Sequence, residues 1–105
     1  MTEPTPEAMT RTKLNLETAR IAWQELQRFF ASGGAIYVSE ELDLIEVAYQ
    51  FSEDNKLQVE RWMLTGQVAR VSDEQALAWY EADAVMWAVV VSPYVLVQPP
   101  KAETS

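Results

Sequence analysis

Apolar residues along this chain recur at helical spacing in four segments and run almost without interruption in a fifth. The first segment, residues 15–31, has apolar residues three and four positions apart, which predicts one long amphipathic helix. The side chains of this stripe are Ala19, Ala22, Trp23, Leu26, Phe29 and Phe30. Gly33 and Gly34 follow, and we expect them to end the helix, since glycine is common just past a helix C-terminus.

Two short strands and two shorter helices are predicted in the middle of the chain. The β-prone runs are residues 35–38, AIYV, and residues 68–71. Between them, residues 42–53 and 54–65 carry helical stripes separated by the turn-forming sequence SEDN. The second of these helices is expected to direct four apolar side chains inward, namely Leu57, Val59, Trp62 and Met63.

Helix starts are marked by two pairs of polar residues three positions apart. Asp43 with Glu46, and Ser72 with Gln75, have the spacing of a capping box, in which each side chain bonds the other's backbone. Ser72 therefore begins a fourth helix, which should end near residue 82.

The longest apolar run, residues 85–98, reads VMWAVVVSPYVLVQ. Its β-branched and aromatic residues predict a strand buried on both faces, and Pro93 predicts two extended segments that meet at a bulge or bend. Fourteen residues outreach two partner strands of about four residues each, so the part beyond Pro93 is expected to lack a neighbour within the chain. We therefore predict that this part binds a second copy or another protein through Tyr94, Val95, Val97 and Gln98.

Taken together, these elements predict an α+β fold. The expected domain is mainly helical, spans residues 12–98 and contains a small three-stranded antiparallel sheet. Its order of elements is winged-helix-like, with one additional helix before the last strand. The polar segments 1–11 and 99–105 contain prolines and no periodicity, which predicts a disordered leader and a disordered tail.

The composition excludes several kinds of site. The 105 residues include no histidine and no cysteine, which removes the commonest general base, thiolate nucleophiles and the commonest zinc ligands. No cofactor is expected. The net charge of −8 disfavours binding to nucleic acid and to anionic membranes. Because neither a signal peptide nor a membrane-spanning run is found, we expect no membrane association and a cytoplasmic location.

A winged-helix arrangement raises DNA binding as an alternative. The third predicted helix offers Lys56, Gln58 and Arg61 as weak candidates for contacts with nucleic acid. Residues 40–71, however, contain three basic and seven acidic side chains, a net charge of −4. A protein that reads DNA normally presents a basic face, so this balance favours a structural or protein-docking role.

Two other groups of residues have ordinary structural explanations. The acidic cluster Glu40, Glu41, Asp43 and Glu46 could bind a divalent cation, but acids near a helix start are favoured by the helix dipole, which explains them without a metal. Four tryptophans could form a ligand cage, but large aromatic side chains are usually buried. We expect Trp23, Trp62 and Trp87 in the core, whereas Leu77 and Tyr80 compete with Trp79 for the inward face of its helix.

Four segments together resemble a family of small bacterial proteins known only as a domain of unknown function. These segments are LNLETARIAWQELQRFFASG, LDLIEVAYQFSED, VERWMLTGQV and WAVVVSPYVLVQ. The resemblance spans about residues 12–98 and implies a small cytosolic bacterial protein. It implies no activity, substrate, cofactor or site residue.

The sequence therefore favours a non-enzymatic protein-interaction domain that acts through a protein partner or as a homodimer. A winged-helix regulator that touches DNA is the alternative. A carboxylate-based enzyme is a second alternative, because carboxylates, lysine, arginine and tyrosine remain for catalysis when histidine and cysteine are absent.

Overall fold

A five-stranded mixed sheet forms the middle of the structure, which is a computed structural model describing residues 6–100. Its strands are β1 (Ala19–Ala22), β2 (Ala35–Val38), β3 (Val68–Arg70), β4 (Val85–Val91) and β5 (Tyr94–Gln98). Across the sheet they lie in the order β1-β4-β5-β2-β3. The pair β2–β5 is parallel and the other three pairs are antiparallel.

Helices cover both faces of this sheet. They are α1 (Pro6–Glu17), α2 (Gln27–Ala31), α3 (Leu44–Ser52), α4 (Lys56–Leu64) and α5 (Asp73–Glu81), with a 3₁₀ turn at Trp23–Leu26. One apolar cluster lies between the sheet and α1, α3 and α4, and a second lies between the sheet and the 3₁₀ turn, α2 and α5. None of the described helices is long and apolar enough to cross a membrane.

The helix starts predicted at Asp43 and Ser72 are correct, and one of the two capping boxes forms. The Ser72 hydroxyl accepts a hydrogen bond from the Gln75 backbone at 3.1 Å, and the Gln75 side chain accepts one from the Ser72 backbone at 3.1 Å. Asp43 caps α3 by accepting from the Ile45 backbone at 2.9 Å. Glu46 does not complete a box there, because its carboxylate is bonded to Arg11 and Gln50 instead.

The prediction of one long helix over residues 15–31 is wrong. The chain leaves the helical conformation at Thr18, forms β1, and returns to helical turns only from Trp23 onward. The cause is tertiary contact, because β1 pairs with the outer edge of β4. The Trp23 backbone N–H donates to the Ala84 carbonyl at 2.8 Å, and its indole N–H donates to the Ala76 carbonyl at 3.0 Å. Of the predicted apolar stripe, only the residues from Trp23 onward lie on helical turns.

The terminal run forms a hairpin rather than one long strand. β4 and β5 pair antiparallel around a two-residue turn at Ser92 and Pro93, whose peptide bond is cis. The turn packs closely on Gly34, where a Cβ atom would lie 3.1 Å from the Pro93 carbonyl oxygen. A larger residue at position 34 would need the turn to give way by a few tenths of an ångström, so glycine suits this close approach.

The expectation that residues beyond Pro93 lack a partner within the chain is wrong. β5 is the middle strand of the sheet, antiparallel to β4 and parallel to β2. Val95 and Val97 are each 0% exposed, so neither side chain can reach a partner in this fold. The hairpin supplies the neighbour that a single long strand would have lacked.

The α+β class and the helix pair α3–α4 are confirmed, but the sheet differs from the prediction. It has five strands rather than three, and the parallel β2–β5 pair departs from the expected antiparallel arrangement. In the predicted leader, residues 1–5 lie outside the described residues and residues 6–11 belong to α1. In the predicted tail, residues 101–105 also lie outside them.

The tryptophans only partly follow the prediction. Trp23 is 0% exposed, and Trp79 packs edge-on against it with ring centroids 5.0 Å apart. Trp62 is partly buried against the core. Trp87 was expected in the core but is 40% exposed, because it lies next to the edge strand β1, where Arg20 covers its ring at 5.7 Å.

A buried charge in β5 should unfold the protein. We expect Val95→Lys to lower the free energy of unfolding by more than about 4 kcal/mol, because no described group is placed to pair with the ammonium. Val90→Lys is the matched control, since Val90 is opposite Val95 in the β4–β5 register but is 47% exposed. Urea unfolding followed by circular dichroism measures both variants. Equal stability of the two would contradict the central position of β5.

Candidate functional site

A groove of about 370 Å³ lies between the first turns of α4 and the turn of the β4–β5 hairpin. Its apolar lining comes from the four strands β2 to β5, from the inner side of α4 and from the end of α3. The apolar and aromatic lining residues are Ile36, Phe51, Val59, Met63, Val68, Val91 and Tyr94. Ile36 and Val68 are buried and form its floor, whereas Met63 is 47% exposed at its edge.

One wall of the groove is aromatic. Phe51 at the end of α3 and Tyr94 at the start of β5 meet edge to face, with ring centroids 6.0 Å apart. An edge-to-face pair is a favourable ring geometry and holds both rings in place. The neighbouring wall is the Ser92–Pro93 turn, which Gly34 allows to approach the sheet. The wall is therefore formed by elements that the sheet holds fixed.

The rim of the groove carries charges of both signs. Lys56 and Arg70 are the cations, and Asp54 and Glu60 are the carboxylates. All four are exposed, and within the described residues neither cation forms an ion pair or a side-chain hydrogen bond. Both ammonium and guanidinium groups are thus available to an anionic group on a ligand.

A chain of polar contacts positions the start of α4 beside this groove. Arg11 of α1 donates to Glu46 of α3, and its guanidinium also lies over the Tyr49 ring at 4.4 Å. Gln50 donates to the other Glu46 oxygen at 2.9 Å and accepts from the Asn55 side chain at 2.7 Å.

Asn55 completes this chain at α4 itself. Its side-chain oxygen accepts from the Gln58 backbone at 3.3 Å and so caps the helix. The same contacts therefore link α1, α3 and the first turn of α4.

The four residues predicted to bind a partner do not form one surface. Tyr94 lines the groove, whereas Val95 and Val97 are buried on the opposite face of the sheet. Gln98 donates hydrogen bonds to the carbonyls of Ser39 at 2.9 Å and Leu42 at 2.7 Å, and so fixes the loop before α3. Of the four, Tyr94 lines the groove and Gln98 borders a second hollow next to Trp87.

The three candidates for nucleic-acid contacts are also divided. Lys56 lies on the groove side of α4, Gln58 is half-buried, and Arg61 is exposed on the outer side. Lys56 and Arg61 are five positions apart, which is about 140° around a helix. They therefore do not form one basic face. The side chains next to Arg61 on the outer side of α4 are the exposed Leu57 and Leu64.

Helix α4 presents an apolar outer stripe that the sequence pattern did not reveal. Leu57, predicted to point inward, is 72% exposed, and Leu64 is 87% exposed. The core contacts of α4 are made by Val59 and Trp62, which lie on its other side. A helix with apolar residues on two sides gives no indication from spacing alone of which side is buried.

A second hollow lies beside the acidic loop but offers no metal site. It is rimmed by Glu40, Glu41 and Asp43 and bordered by Trp87. Within residues 10–100, whose side chains the structure describes, no group of three or more acidic side chains is arranged to hold a metal ion. Nor is any buried residue of that range polar or charged, so none of its carboxylates lies in the apolar environment that general acid catalysis often uses.

The comparisons place the chain in a family. A family model described as a protein of unknown function (DUF2288) matches residues 9–99. The chain belongs to this family. The resemblance seen in the sequence is thus confirmed. None of the curated proteins matches the chain.

A solved structure is also similar to this DUF2288 chain. It is the NMR solution structure of PA1075 from Pseudomonas aeruginosa, which is 39% identical and has a TM-score of 0.80. The match covers 100% of this chain and 95% of that one. At this identity and coverage the two proteins share the whole domain.

The Glu46 contacts should give a specific pH dependence of stability. The hydrogen bond from Arg11, and then that from Gln50, holds the pKa of Glu46 below its ordinary value near 4.5. The unfolded chain therefore binds this proton more readily. The stabilisation is present above about pH 4.5 and is lost as the pH falls through the lowered pKa.

We expect Glu46→Gln to lower the free energy of unfolding at neutral pH by about 0.5 kcal/mol, the size of a solvent-screened pair. At about pH 3 the difference from wild type should shrink. Urea unfolding at the two pH values measures this. Glu53→Gln is the control, because Glu53 is exposed and its side chain has no hydrogen bond within the described residues. An effect of Glu46→Gln that is independent of pH would contradict this role for Glu46.

Proposed function

We propose that this chain is a non-enzymatic protein-interaction domain whose partner binds in the groove between α4 and the β4–β5 hairpin. The observation that carries the proposal is the combination of an apolar floor with two cations at the rim, Lys56 and Arg70, that form no ion pair with any described residue. Concave apolar surfaces with a few polar groups at the edge are typical of binding sites.

Catalysis is disfavoured by the side chains that line the groove. Its ionisable groups are exposed at the rim, and neither histidine nor cysteine occurs anywhere in the sequence. A nucleophile paired with an oriented base, which covalent catalysis requires, is absent among the described lining residues. Binding needs only the shape and the apolar surface that the groove provides.

DNA binding is disfavoured by charge and by the surface of α4. The net charge of −4 over residues 40–71 would repel phosphates, which supply much of the affinity for nucleic acid. The exposed leucines Leu57 and Leu64 occupy the side of α4 that a groove of DNA would have to meet. These observations favour protein over nucleic acid as the partner.

The chemistry of the groove indicates which segment of a partner would fit. An aliphatic or aromatic side chain of the partner would leave water when it enters the groove, and its full burial gains roughly 1.5–3 kcal/mol. A carboxylate next to that side chain would meet Lys56 or Arg70. The partner segment is therefore a short peptide with an apolar anchor flanked by acids.

Selection of peptides from a random phage-displayed library on the immobilised protein tests the proposal. We expect the enriched peptides to carry a large apolar residue next to Asp or Glu. Isothermal titration with a selected peptide should show that Met63→Glu weakens binding about tenfold or more, because the new carboxylate lies in the apolar wall. Lys56→Glu should weaken the same peptide less, since its contact is solvent-screened.

Leu77→Glu is the matched control for this experiment. Leu77 is 58% exposed on α5, which packs on the opposite face of the sheet, and it does not line the groove. Its substitution should leave the peptide affinity unchanged. The proposal fails if the library yields no enriched peptide, or if the control and Met63→Glu weaken binding equally.

A further inference from the structure

A hollow of about 390 Å³ lies between α2 and α5, on the face of the sheet opposite the groove. Its lining includes the buried Ala76 and the half-buried Phe30, which form its floor. Leu77 and Tyr80 lie at its edge and are 58% and 54% exposed, although both side chains are large and mainly apolar. Single exposed apolar side chains are ordinary, but two on adjacent turns beside a hollow form a continuous apolar surface.

Aromatic packing holds the floor of this hollow in place. Phe30 packs edge-on against Trp23 with ring centroids 5.9 Å apart, and Trp23 packs in the same way against Trp79 at 5.0 Å. The Trp23 indole N–H also donates to the Ala76 carbonyl at 3.0 Å. One fully buried ring therefore contacts both floor residues, so the hollow belongs to the folded core and needs no partner to form.

The charges on α5 and its flanking residues are all negative. Residues 72–84 contain no base and four acids, namely Asp73, Glu74, Glu81 and Asp83. Asp73 lies four positions before Leu77 and Glu81 four positions after it, so these two acids bracket the apolar surface on one side of the helix. Among the described residues, neither Asp73 nor Glu81 has an ion pair or a side-chain hydrogen bond.

The stability of α5 explains the acids at its start but not the acid at its end. Asp73 and Glu74 lie in the first turn, where the helix dipole favours negative side chains. Glu81 is the last residue of α5, where the dipole disfavours a negative side chain, and no base lies in that turn. The natural counter-charge for Glu81 is therefore a cation from outside the described part of the chain.

We propose that the hollow between α2 and α5 binds an amphipathic helix of a partner protein that carries basic residues beside its apolar stripe. The apolar side chains of that helix would be buried against Phe30, Leu77 and Tyr80. Lysine or arginine side chains next to them would meet the carboxylates of Asp73 and Glu81. The bound helix thus supplies the cations that α5 lacks.

The shape and charge of this surface select a basic helix over other occupants. The contacts on α5 run along one side of the helix from residue 73 to residue 81, a length of about 12 Å. A second helix presents side chains at the same spacing of three and four residues. A second copy of this chain, whose net charge is −8, would be repelled by these acids, as would nucleic acid or an anionic membrane.

Titration of the isotope-labelled full chain with a model peptide, followed by heteronuclear NMR, tests the proposal. The probe is a synthetic peptide of about 18 residues in which leucines recur at three- and four-residue spacing and lysines fill the other positions. We expect a Kd on the order of 10–100 µM, because the contact is small. The shifted amides should be those of residues 27–31 and 73–81. A peptide with the same leucines and with glutamates in place of lysines should cause no shift up to about 1 mM.

Two double variants test the apolar and the charged parts of the surface separately. Leu77→Ala with Tyr80→Ala removes the apolar contacts and should raise the Kd of the leucine–lysine peptide at least about tenfold. Asp73→Lys with Glu81→Lys places cations against the lysines of the peptide and should also raise the Kd at least about tenfold. All four side chains are exposed, so the circular dichroism spectra of both variants should match that of wild type.

Matched controls change the same properties away from the hollow. Leu57→Ala removes another exposed leucine, one that is 72% exposed on α4. Glu40→Lys with Glu53→Lys changes the net charge by the same amount as the double reversal on α5, and both residues are exposed outside the hollow. Both controls should leave the Kd within about twofold of wild type.

Each result decides the proposal. It is overturned if the leucine–lysine peptide shifts no amides up to about 1 mM, or if the shifted amides lie outside α2 and α5. Equal weakening by the Glu40 and Glu53 reversals would show only a general attraction between opposite net charges, and would overturn the site as well. Equal binding of the leucine–glutamate peptide would overturn the role of the acids.

This surface is separate from the groove, and its preference for charge is the opposite one. The groove has Lys56 and Arg70 at its rim and lies on the other face of the sheet, so the two surfaces can be occupied at the same time. Met63→Glu should therefore bind the leucine–lysine peptide as wild type does. Loss of binding to this peptide in that variant would overturn the separation of the two sites.

Discussion

The burial of β5 between two neighbouring strands is the constraint on which the rest of the structure depends. Val95, Leu96 and Val97 are each 0% exposed, and together they contribute to both apolar clusters. Burying each of these side chains stabilises the fold by roughly 1.5–3 kcal/mol. Because β5 is paired on both edges and covered on both faces, of its apolar residues only Tyr94 borders the groove.

Because β5 lies in the middle of the sheet, the candidate interaction surfaces lie on the helices instead, and the groove lies beside α4. The polar contacts from Arg11 through Glu46 and Gln50 to Asn55 hold the start of α4 against α3. Its inner side then lines the groove beside the hairpin turn, and its outer side remains exposed. Helix α4 thus presents two different surfaces, a concave one with an apolar floor on its inner side and one with the exposed Leu57 and Leu64 on its outer side.

Much of the local structure could be predicted from the sequence, because it depends on residues close together in the chain. The helix starts at Asp43, Asn55 and Ser72 depend on caps within three residues, and the strands at residues 35–38 and 68–70 depend on short β-prone runs. The turn glycines Gly33 and Gly66 have positive φ, as their place after helices predicts.

The errors have a common cause, since each concerns a contact between residues far apart. Ala19–Ala22 forms a strand because β4 offers an unpaired edge about 65 residues later, a partner that helical spacing cannot reveal. The central place of β5 follows from a hairpin at Pro93 and from a parallel partner near residue 36. Leu57 is exposed because Val59 and Trp62 fill the contact with the core, so the two sides of α4 could be told apart only in the folded structure.

The central claim is that β5 is the fully paired middle strand of the sheet. Native-state hydrogen exchange of the backbone amides tests this claim most directly. Amides in β5 that are hydrogen-bonded to a neighbouring strand should exchange only through global unfolding. The amide of Val95 should do so too, because it donates at 2.8 Å to the carbonyl of Gly34, directly before β2. Amides of the edge strand β1 should exchange faster through local opening. Protection in β5 as weak as in β1 would contradict this account and would restore β5 as an exposed strand.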